Sequence, residues 1–437
     1  MATDETAPDQ TAQGKTISAA DAATAPRSAP HAVGPLAPET PPAPFALLLA
    51  EVTSVQAIAT LSVLTMATVA PLAATSLGVG AEAVGYQISI IYGAGALVSA
   101  VAGLLVRRWG AGTVGVAAMV LGLLGCLGLA TGLLWVAALA SVLIGIGYGL
   151  VNPSSSHLLN RFTPPARRNL VFSLKQTGVP LAGVLAGLIL PGIGQWAGWR
   201  GAALAVAALF AVLLAIFAPG RRVWDDDRKP GLILRGKLTE GPRLVWREPA
   251  LRGFALMGFC FSAIQLSLMA FTVNMLVHDL GWPIVTAGFA VSVMQLSGAA
   301  ARIGWGLLAD RLRSGTAVLA GIGVLSMAAA LATATLAPSW PSWAVVAVLA
   351  VFGAGAIGWN GVFLAEVARV SPPGSASAAT GGAMMLTFAG VVVGPALFAT
   401  AYNAVGSYGL TFALMAVFPV AGALAVLLAA RRSKNAA

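Results

Sequence analysis

The chain has 437 residues, of which 58% are hydrophobic and only 9% are charged. This composition excludes an ordinary soluble domain, and the long apolar runs are typical of helices of roughly 20 residues that cross a hydrocarbon layer about 30 Å thick. The net charge of +10 then indicates an orientation bias of the loops in a membrane, so nucleic-acid binding is not expected.

The first 44 residues differ from the rest of the chain in composition. They are rich in Ala, Pro, Thr and Asp, and they contain neither the basic start nor the apolar run of a secretory signal peptide. A segment with so little apolar surface cannot bury a core of its own. We therefore expect residues 1–44 to form a disordered cytoplasmic tail, with a second short tail at 433–437.

Twelve apolar segments follow the tail, six on each side of a polar stretch at 219–251. We predict an all-α integral membrane protein with six helices in 45–218, a cytoplasmic linker loop at 219–251 and six helices in 252–432. The predicted segments are 46–76, 83–106, 112–131, 134–160, 169–193, 199–218, 252–278, 284–309, 315–337, 341–368, 376–402 and 407–430.

The positions of Lys and Arg orient these helices. With the N-terminus inside, the loops on the opposite side retain Arg200 as their basic residue, and only Lys175 and Arg302 lie well within apolar segments. By the positive-inside rule, both termini are predicted to be cytoplasmic in a multi-pass protein of the plasma (inner) membrane.

The two halves repeat one another. GLLVRRWGAG, which begins at Gly103, resembles GLLADRLRSG, which begins at Gly306, so that Arg108 corresponds to Arg311. Asn152 and Asn360 also occupy equivalent places, each followed by a pair of prolines. Internal repeats of this kind are typical of secondary transporters.

Twelve helices in two halves, a basic central linker and the GLLADRLRSG loop resemble the major facilitator superfamily over residues 45 to about 432. The resemblance implies two pseudo-symmetric six-helix bundles that rock about a central substrate site. It also implies a gating latch formed by Gly306, Asp310 and Arg311, and by Gly103 and Arg108 in the first half. The first copy departs from the family pattern because Arg107 stands where the family usually places an aspartate.

Arg302 is the strongest candidate for function. At about 1.5 Å per residue, it lies roughly 12 Å from the end of its helix at Asp310, where a charge is costly unless it faces a polar interior. Its planar fork of donors suits a carboxylate, although an arginine that caps backbone carbonyls is an alternative. Residues 302–309 are similar to helix eight of monocarboxylate and oxalate/formate porters, whose arginine binds the substrate carboxylate. Gly298 replaces the aspartate that animal monocarboxylate porters carry four residues earlier, which is linked to proton coupling.

Lys175 has two possible roles. It is either a second cationic ligand or a lysine whose stem reaches the cytoplasmic interface. Two other candidates for substrate contact, Gln56 and Gln265, lie on helices one and seven, which the resemblance places around the cavity. Tyr148, Asn152 and Asn360, on helices four and ten, are further candidates. The two asparagines could equally tie helices together. Glu51 is the candidate proton carrier.

The sequence favours a transporter over an enzyme. The three histidines are far apart, and the chain contains no HExxH motif, P-loop or nucleophile elbow, so we expect no cofactor and no metal. We predict a monomer embedded in lipid that moves a small organic anion, most simply a monocarboxylate, together with a proton. Two alternatives remain open. They are an inorganic anion such as nitrate or cyanate, which Ser99 at the helix-two equivalent of Arg302 disfavours, and efflux of amphiphilic compounds.

Overall fold

The structure of the protein is a computed structural model that describes residues 40–41, 43–78, 83–232 and 239–435. Within these residues the chain forms helices joined by turns and contains no β-strand. Nearly all of the predicted 1–44 tail, Arg235 and Lys237 of the predicted linker, and residues 436–437 lie outside the described residues.

The first half of the chain contains seven α-helices within its described residues. They are α1 (Phe45–Thr68), α2 (Ala70–Leu77), α3 (Ala83–Trp109), α4 (Ala111–Ala130), α5 (Leu134–Phe162), α6 (Arg168–Gln176) and α7 (Gly178–Phe217). The last of these turns sharply at Gly198, whose φ of 73° and ψ of 164° lie in a region that is open to glycine and closed to other residues. Consequently α7 ends one membrane pass before Gly198 and begins the next after it.

The linker and the second half contain nine further α-helices in the part of the chain that the structure describes. They are α8 (Glu240–Arg247), α9 (Pro249–Asn274), α10 (Ile284–Arg311), α11 (Gly315–Thr333), α12 (Ser342–Ala356), α13 (Asn360–Val370), α14 (Ala376–Val405), α15 (Tyr408–Met415) and α16 (Val417–Asn435). A turn at 357–359 separates α12 from α13. It exposes backbone carbonyls in the middle of what is otherwise one membrane pass.

The helices agree in number with the twelve predicted segments. Ten helical stretches of the described residues are long and apolar enough to cross a membrane. One of them, Pro165–Phe217, makes two passes because it turns at Gly198. The 28-residue α10, which carries Arg302 and Gln295 among its apolar residues, is also long enough to cross. The all-α membrane fold is therefore confirmed.

Segments of the linker lie against the ends of α4 and α5, and this end of the bundle is called the linker side below. The Asp225 carboxylate accepts hydrogen bonds from the backbone N–H of Gly112 at 2.7 Å and of Thr113 at 3.0 Å. Arg161 pairs with Asp226 through two hydrogen bonds of 2.8 and 3.0 Å, which hold the pKa of Asp226 below its usual range. Together with the 2.6 Å contact between His157 Nε2 and Asp227 Oδ2, these contacts fix residues 225–227 to the first half.

The two halves meet closely on the linker side. Asp310 at the end of α10 accepts hydrogen bonds from the N–H of Leu170 at 2.9 Å and from the Asn169 side chain at 2.8 Å. Gly306 and Gly361 lie directly against Ser173, so that a Cβ at either glycine would clash with that side chain. Close approach of this kind requires small residues. The bundle is thus closed at this end.

The first copy of the repeated loop makes a different set of contacts. Arg107, at the repeat position of Asp310, pairs with Glu240 at the start of α8. Arg108 donates to the Leu232 carbonyl, and Gly103 packs against Ala378 of α14. The two copies therefore close the linker side by different means. The second copy does so through Asp310 and the N-terminus of α6, and the first copy through contacts of Arg107 and Arg108 with the linker.

Candidate functional site

A central cavity of about 180 Å³ lies between the two halves. Its polar lining residues are Gln56, Thr60, Tyr92, Tyr148, Asn152, Gln176, Ser262, Gln265, Gln295, Arg302, Asn360 and Thr387. Its lining includes no Asp or Glu from the described ranges. The site is therefore rich in amide and aromatic side chains around a single arginine.

The cavity extends away from the linker side. Contacts of Gly306, Gly361 and Asp310 with α6 close the linker side. The lining in the other direction reaches Leu64 near the far end of α1 and Met269 near the far end of α9. A solute would thus enter from the side opposite the linker.

Arg302 lies on α10 at the base of this cavity and is only 1% exposed. Its Nε donates to the Ile357 carbonyl at 3.2 Å, and its Nη1 donates to the Gln176 carbonyl at 2.6 Å. Both carbonyls stand at helix ends, where carbonyl oxygens lack a partner within the helix and carry a partial negative charge. The predicted alternative of carbonyl capping is therefore observed, and it coexists with a place in the cavity lining.

The charge of Arg302 is not neutralised by an acid. No ion pair involves Arg302 among the described residues, and two backbone carbonyls provide only partial charges. Within the same residues, its Nη2 group has no hydrogen-bond acceptor. The cavity therefore keeps a net positive charge and a donor that an anion can use.

Lys175 lies near the end of α6 and is 1% exposed. Its Nζ donates to Gln56 Oε1 at 2.5 Å, to Asn152 Oδ1 at 2.6 Å and to Gln176 Oε1 at 3.3 Å. The amine is thus buried among three amide oxygens and does not reach the interface. Its three partners line the cavity, whereas Lys175 stands behind them.

A second amide network lies across the cavity. Gln265 of α9 accepts hydrogen bonds at Oε1 from Trp359 Nε1 at 3.0 Å and from Asn360 Nδ2 at 3.3 Å. Asn360 also donates to the Ile357 carbonyl at 3.4 Å, which is the carbonyl that receives Arg302. The predicted residues Gln265, Asn360 and Arg302 are thus brought together at the turn between α12 and α13.

Sequence reasoning missed part of the lining. The rings of Tyr92, Tyr148 and Phe388 form one cluster with centroid separations of 5.7 to 5.9 Å, and of these only Tyr148 was predicted. Gln176 was also missed, although its position beside Lys175 was a usable signal. An aromatic residue in an apolar helix carries no comparable signal, because lipid-facing and core positions use the same residues.

Glu51, the candidate proton carrier, lies outside the central cavity. It lines a separate small pocket of about 20 Å³ together with Ser154 and Ser155 of α5. The predicted latch residues also lie away from the cavity, on the linker side, where Arg311 is exposed. Substrate contact and these two groups are therefore spatially separate.

Comparisons with known proteins agree with this architecture. A model of the Major Facilitator Superfamily matches residues 52–395. Two uncharacterized MFS-type transporters from two strains of Mycobacterium tuberculosis are 26% identical over 186 residues, which is 42% of this chain and 40% of their length. The E. coli fucose:proton symporter has a TM-score of 0.70 at 13% identity, with 88% of this chain and 99% of that chain covered. The human organic anion transporter MFSD10 has a TM-score of 0.69 at 15% identity, with 88% and 100% covered.

At these identities the solved structures support the fold alone, whereas the family match extends over most of the chain. The chain belongs to the major facilitator superfamily, a family of membrane transporters, and its described residues include ten helical stretches long and apolar enough to cross a membrane.

Proposed function

We propose that the protein transports a small organic anion, most simply a monocarboxylate, by alternating access. The observation that carries this proposal is Arg302, a buried guanidinium in the cavity lining with no acidic partner among the described residues. An uncompensated buried charge is costly. A substrate carboxylate would offset that cost and accept a charge-assisted hydrogen bond.

The amide networks add further donors. An ammonium group only donates, so Lys175 requires the carbonyl oxygens of Gln56 and Asn152 to face it. Their amino groups then point elsewhere. That of Gln56 donates to Thr60 Oγ1 at 3.3 Å. That of Asn152 has only the weak acceptor Met384 Sδ at 3.9 Å, and both side chains line the cavity. Lys175 thus acts as a positioning residue that leaves the amide donor of Asn152 available for an anion.

Gln265 is oriented in the same way from the other half. Its Oε1 is held by two donors, which leaves its amino group for the cavity that it lines. Donors supplied by both halves would be bridged by one anion. Such bridging provides a physical reason for the halves to move together when the substrate binds.

An inorganic anion such as nitrate or cyanate is the nearer alternative. It would use the same donors, but Ser99, at the repeat position of Arg302, donates its hydroxyl to the Gly149 carbonyl at 2.9 Å and supplies no second positive charge. Efflux of amphiphilic compounds would suit the apolar lining, but it gives the uncompensated charge of Arg302 no role. A carboxylate on an organic body accounts for both features.

We further propose that a proton accompanies the anion and that Glu51 carries it. Within the described helices, Glu366 pairs with Arg369 at 2.7 Å, and Asp310 is held by Asn169 and Leu170. Glu51 makes no ion pair with a described residue. We also propose that the linker side is cytoplasmic, so that the structure represents an outward-facing state.

The Arg302→Lys variant is expected to lose anion binding while it still folds, because an ammonium group cannot hold two carbonyls and also present a planar fork. The test is a thermal-stabilisation screen of the purified protein over carboxylates, nitrate, cyanate and cationic drugs. Carboxylates should raise the Tm of the wild type and of the exposed control Arg247→Lys, and should not raise that of Arg302→Lys. Stabilisation by cations alone, or a wild-type response of Arg302→Lys, would contradict the proposal.

The Lys175→Met variant is expected to bind carboxylates about tenfold more weakly, or about 1.4 kcal/mol, because the cavity amides lose the donor that orients them. Its Tm without ligand should also fall, since buried acceptors are left unsatisfied. The measurements are carboxylate Kd and Tm beside the exposed control Lys229→Met. A lower Tm with an unchanged Kd would show that Lys175 is only structural.

The Glu51→Gln variant is expected to lose accumulation driven by a pH gradient and to retain exchange of labelled substrate at equal concentrations on both sides. Neutralising the carrier removes proton movement but leaves the anion site intact. Uptake and exchange are measured in proteoliposomes, with the exposed Glu248→Gln as the control. Accumulation at the wild-type level would exclude Glu51 as the carrier.

A further inference from the structure

The proposed function leaves one side of the central cavity unexplained. The rings of Tyr92 on α3, Tyr148 on α5 and Phe388 on α14 all line it and touch one another. The Tyr92 and Tyr148 rings are nearly perpendicular at 89°, with centroids 5.9 Å apart, and Phe388 lies 5.7 Å from each. This group is called the aromatic wall below.

The aromatic wall belongs to the same cavity as Arg302. The remaining lining combines the amide and hydroxyl side chains already described with apolar residues that include Ile88, Leu266 and Val391. The site therefore has one cationic pole, at Arg302, and a ring-lined body. A two- or three-carbon acid would satisfy the pole and leave the body in contact with water or empty space.

The volume of the cavity also indicates a substrate larger than a two- or three-carbon acid. An apolar cavity of about 150 Å³ is large enough to hold benzene, and this cavity is about 180 Å³. It therefore has room for one six-membered ring with a carboxyl group attached. Ligand sites of this kind combine an apolar body with few polar groups that fix the orientation.

Resting on the proposed function, we infer that the preferred substrate class is an aryl carboxylate, with its carboxylate at Arg302 and its ring against Tyr92, Tyr148 and Phe388. An aromatic ring gains edge-to-face and offset-stacked contacts with other aromatic rings, and a saturated ring of similar size does not. The wall supplies such contacts from both halves, since Tyr92 and Tyr148 belong to the first half and Phe388 to the second. The ring of the substrate, like its carboxylate, would then bridge the halves.

The test measures dissociation constants of acetate, cyclohexanecarboxylate and benzoate for the purified full-length protein by calorimetry. Benzoate should bind about three to ten times more tightly than cyclohexanecarboxylate, and both should bind more tightly than acetate. Equal affinity for the two ring acids, or a preference for acetate, would overturn the assignment of an aryl substrate.

The Phe388→Leu variant separates ring recognition from cavity volume. It should lower the ratio of benzoate to cyclohexanecarboxylate affinity toward one. Phe398→Leu is the matched control, because Phe398 lies on the same helix, stacks on Phe271 with centroids 4.4 Å apart and is absent from the cavity lining. If Phe388→Leu does not fold, Tyr92→Leu gives the same comparison, and the Tm without ligand monitors folding.

The outcomes distinguish this inference from the proposed function. If no carboxylate binds, or if binding is the same in Arg302→Lys, the proposed function fails. If all three acids bind through Arg302 without a preference for the aromatic ring, or if Phe388→Leu keeps the wild-type affinity ratio, only the aryl assignment fails.

Discussion

A buried arginine charge that is only partly compensated is the interaction on which the architecture depends. Arg302 could not be placed between two apolar halves unless the chain offered it acceptors, and it does so by breaking two membrane passes, after Gln176 and at 357–359. The free carbonyls at these breaks hold the guanidinium in place. Because one carbonyl belongs to each half, the same residue that would bind the substrate also ties the halves together when the linker side is closed.

Closure of the linker side brings Arg302 and its two carbonyl acceptors to the same depth in the bundle. Gly306 and Gly361 allow α10 and α13 to lie against Ser173 of α6, which is the helix that carries Lys175 and ends at Gln176. Any opening of the linker side must separate these surfaces, and it would also alter the acceptor that Gln176 gives to Arg302. In a transporter that alternates between two states, such a shared contact links the occupancy of the substrate site to the conformation of the bundle. A bound anion would compete for the same guanidinium.

Much of the fold could be predicted from the sequence, because membrane passes are set by hydropathy and length. Hydropathy and the repeated loops led to the prediction of twelve helices. Arg302 was identified because a charge in an apolar helix is costly unless it faces a polar interior. The surroundings of Lys175 could not be predicted, since its three amide partners come from α1, α5 and its own helix. Tyr92 and Phe388 were missed because an aromatic side chain in an apolar helix is equally common facing lipid, a core or a cavity. Whether such a side chain faces lipid, the core or the cavity depends on the rotation of its helix, and packing decides that rotation.

The central claim is that the cavity selects a negative charge, and a charge series on one ring tests it most directly. Benzoate, benzamide and benzylamine have similar size and carry a negative, a neutral and a positive head group. Calorimetry on the purified protein should give binding of benzoate at least tenfold tighter than that of benzamide, with no detectable binding of benzylamine. Binding of benzylamine as tight as that of benzoate, or tighter, would contradict the account.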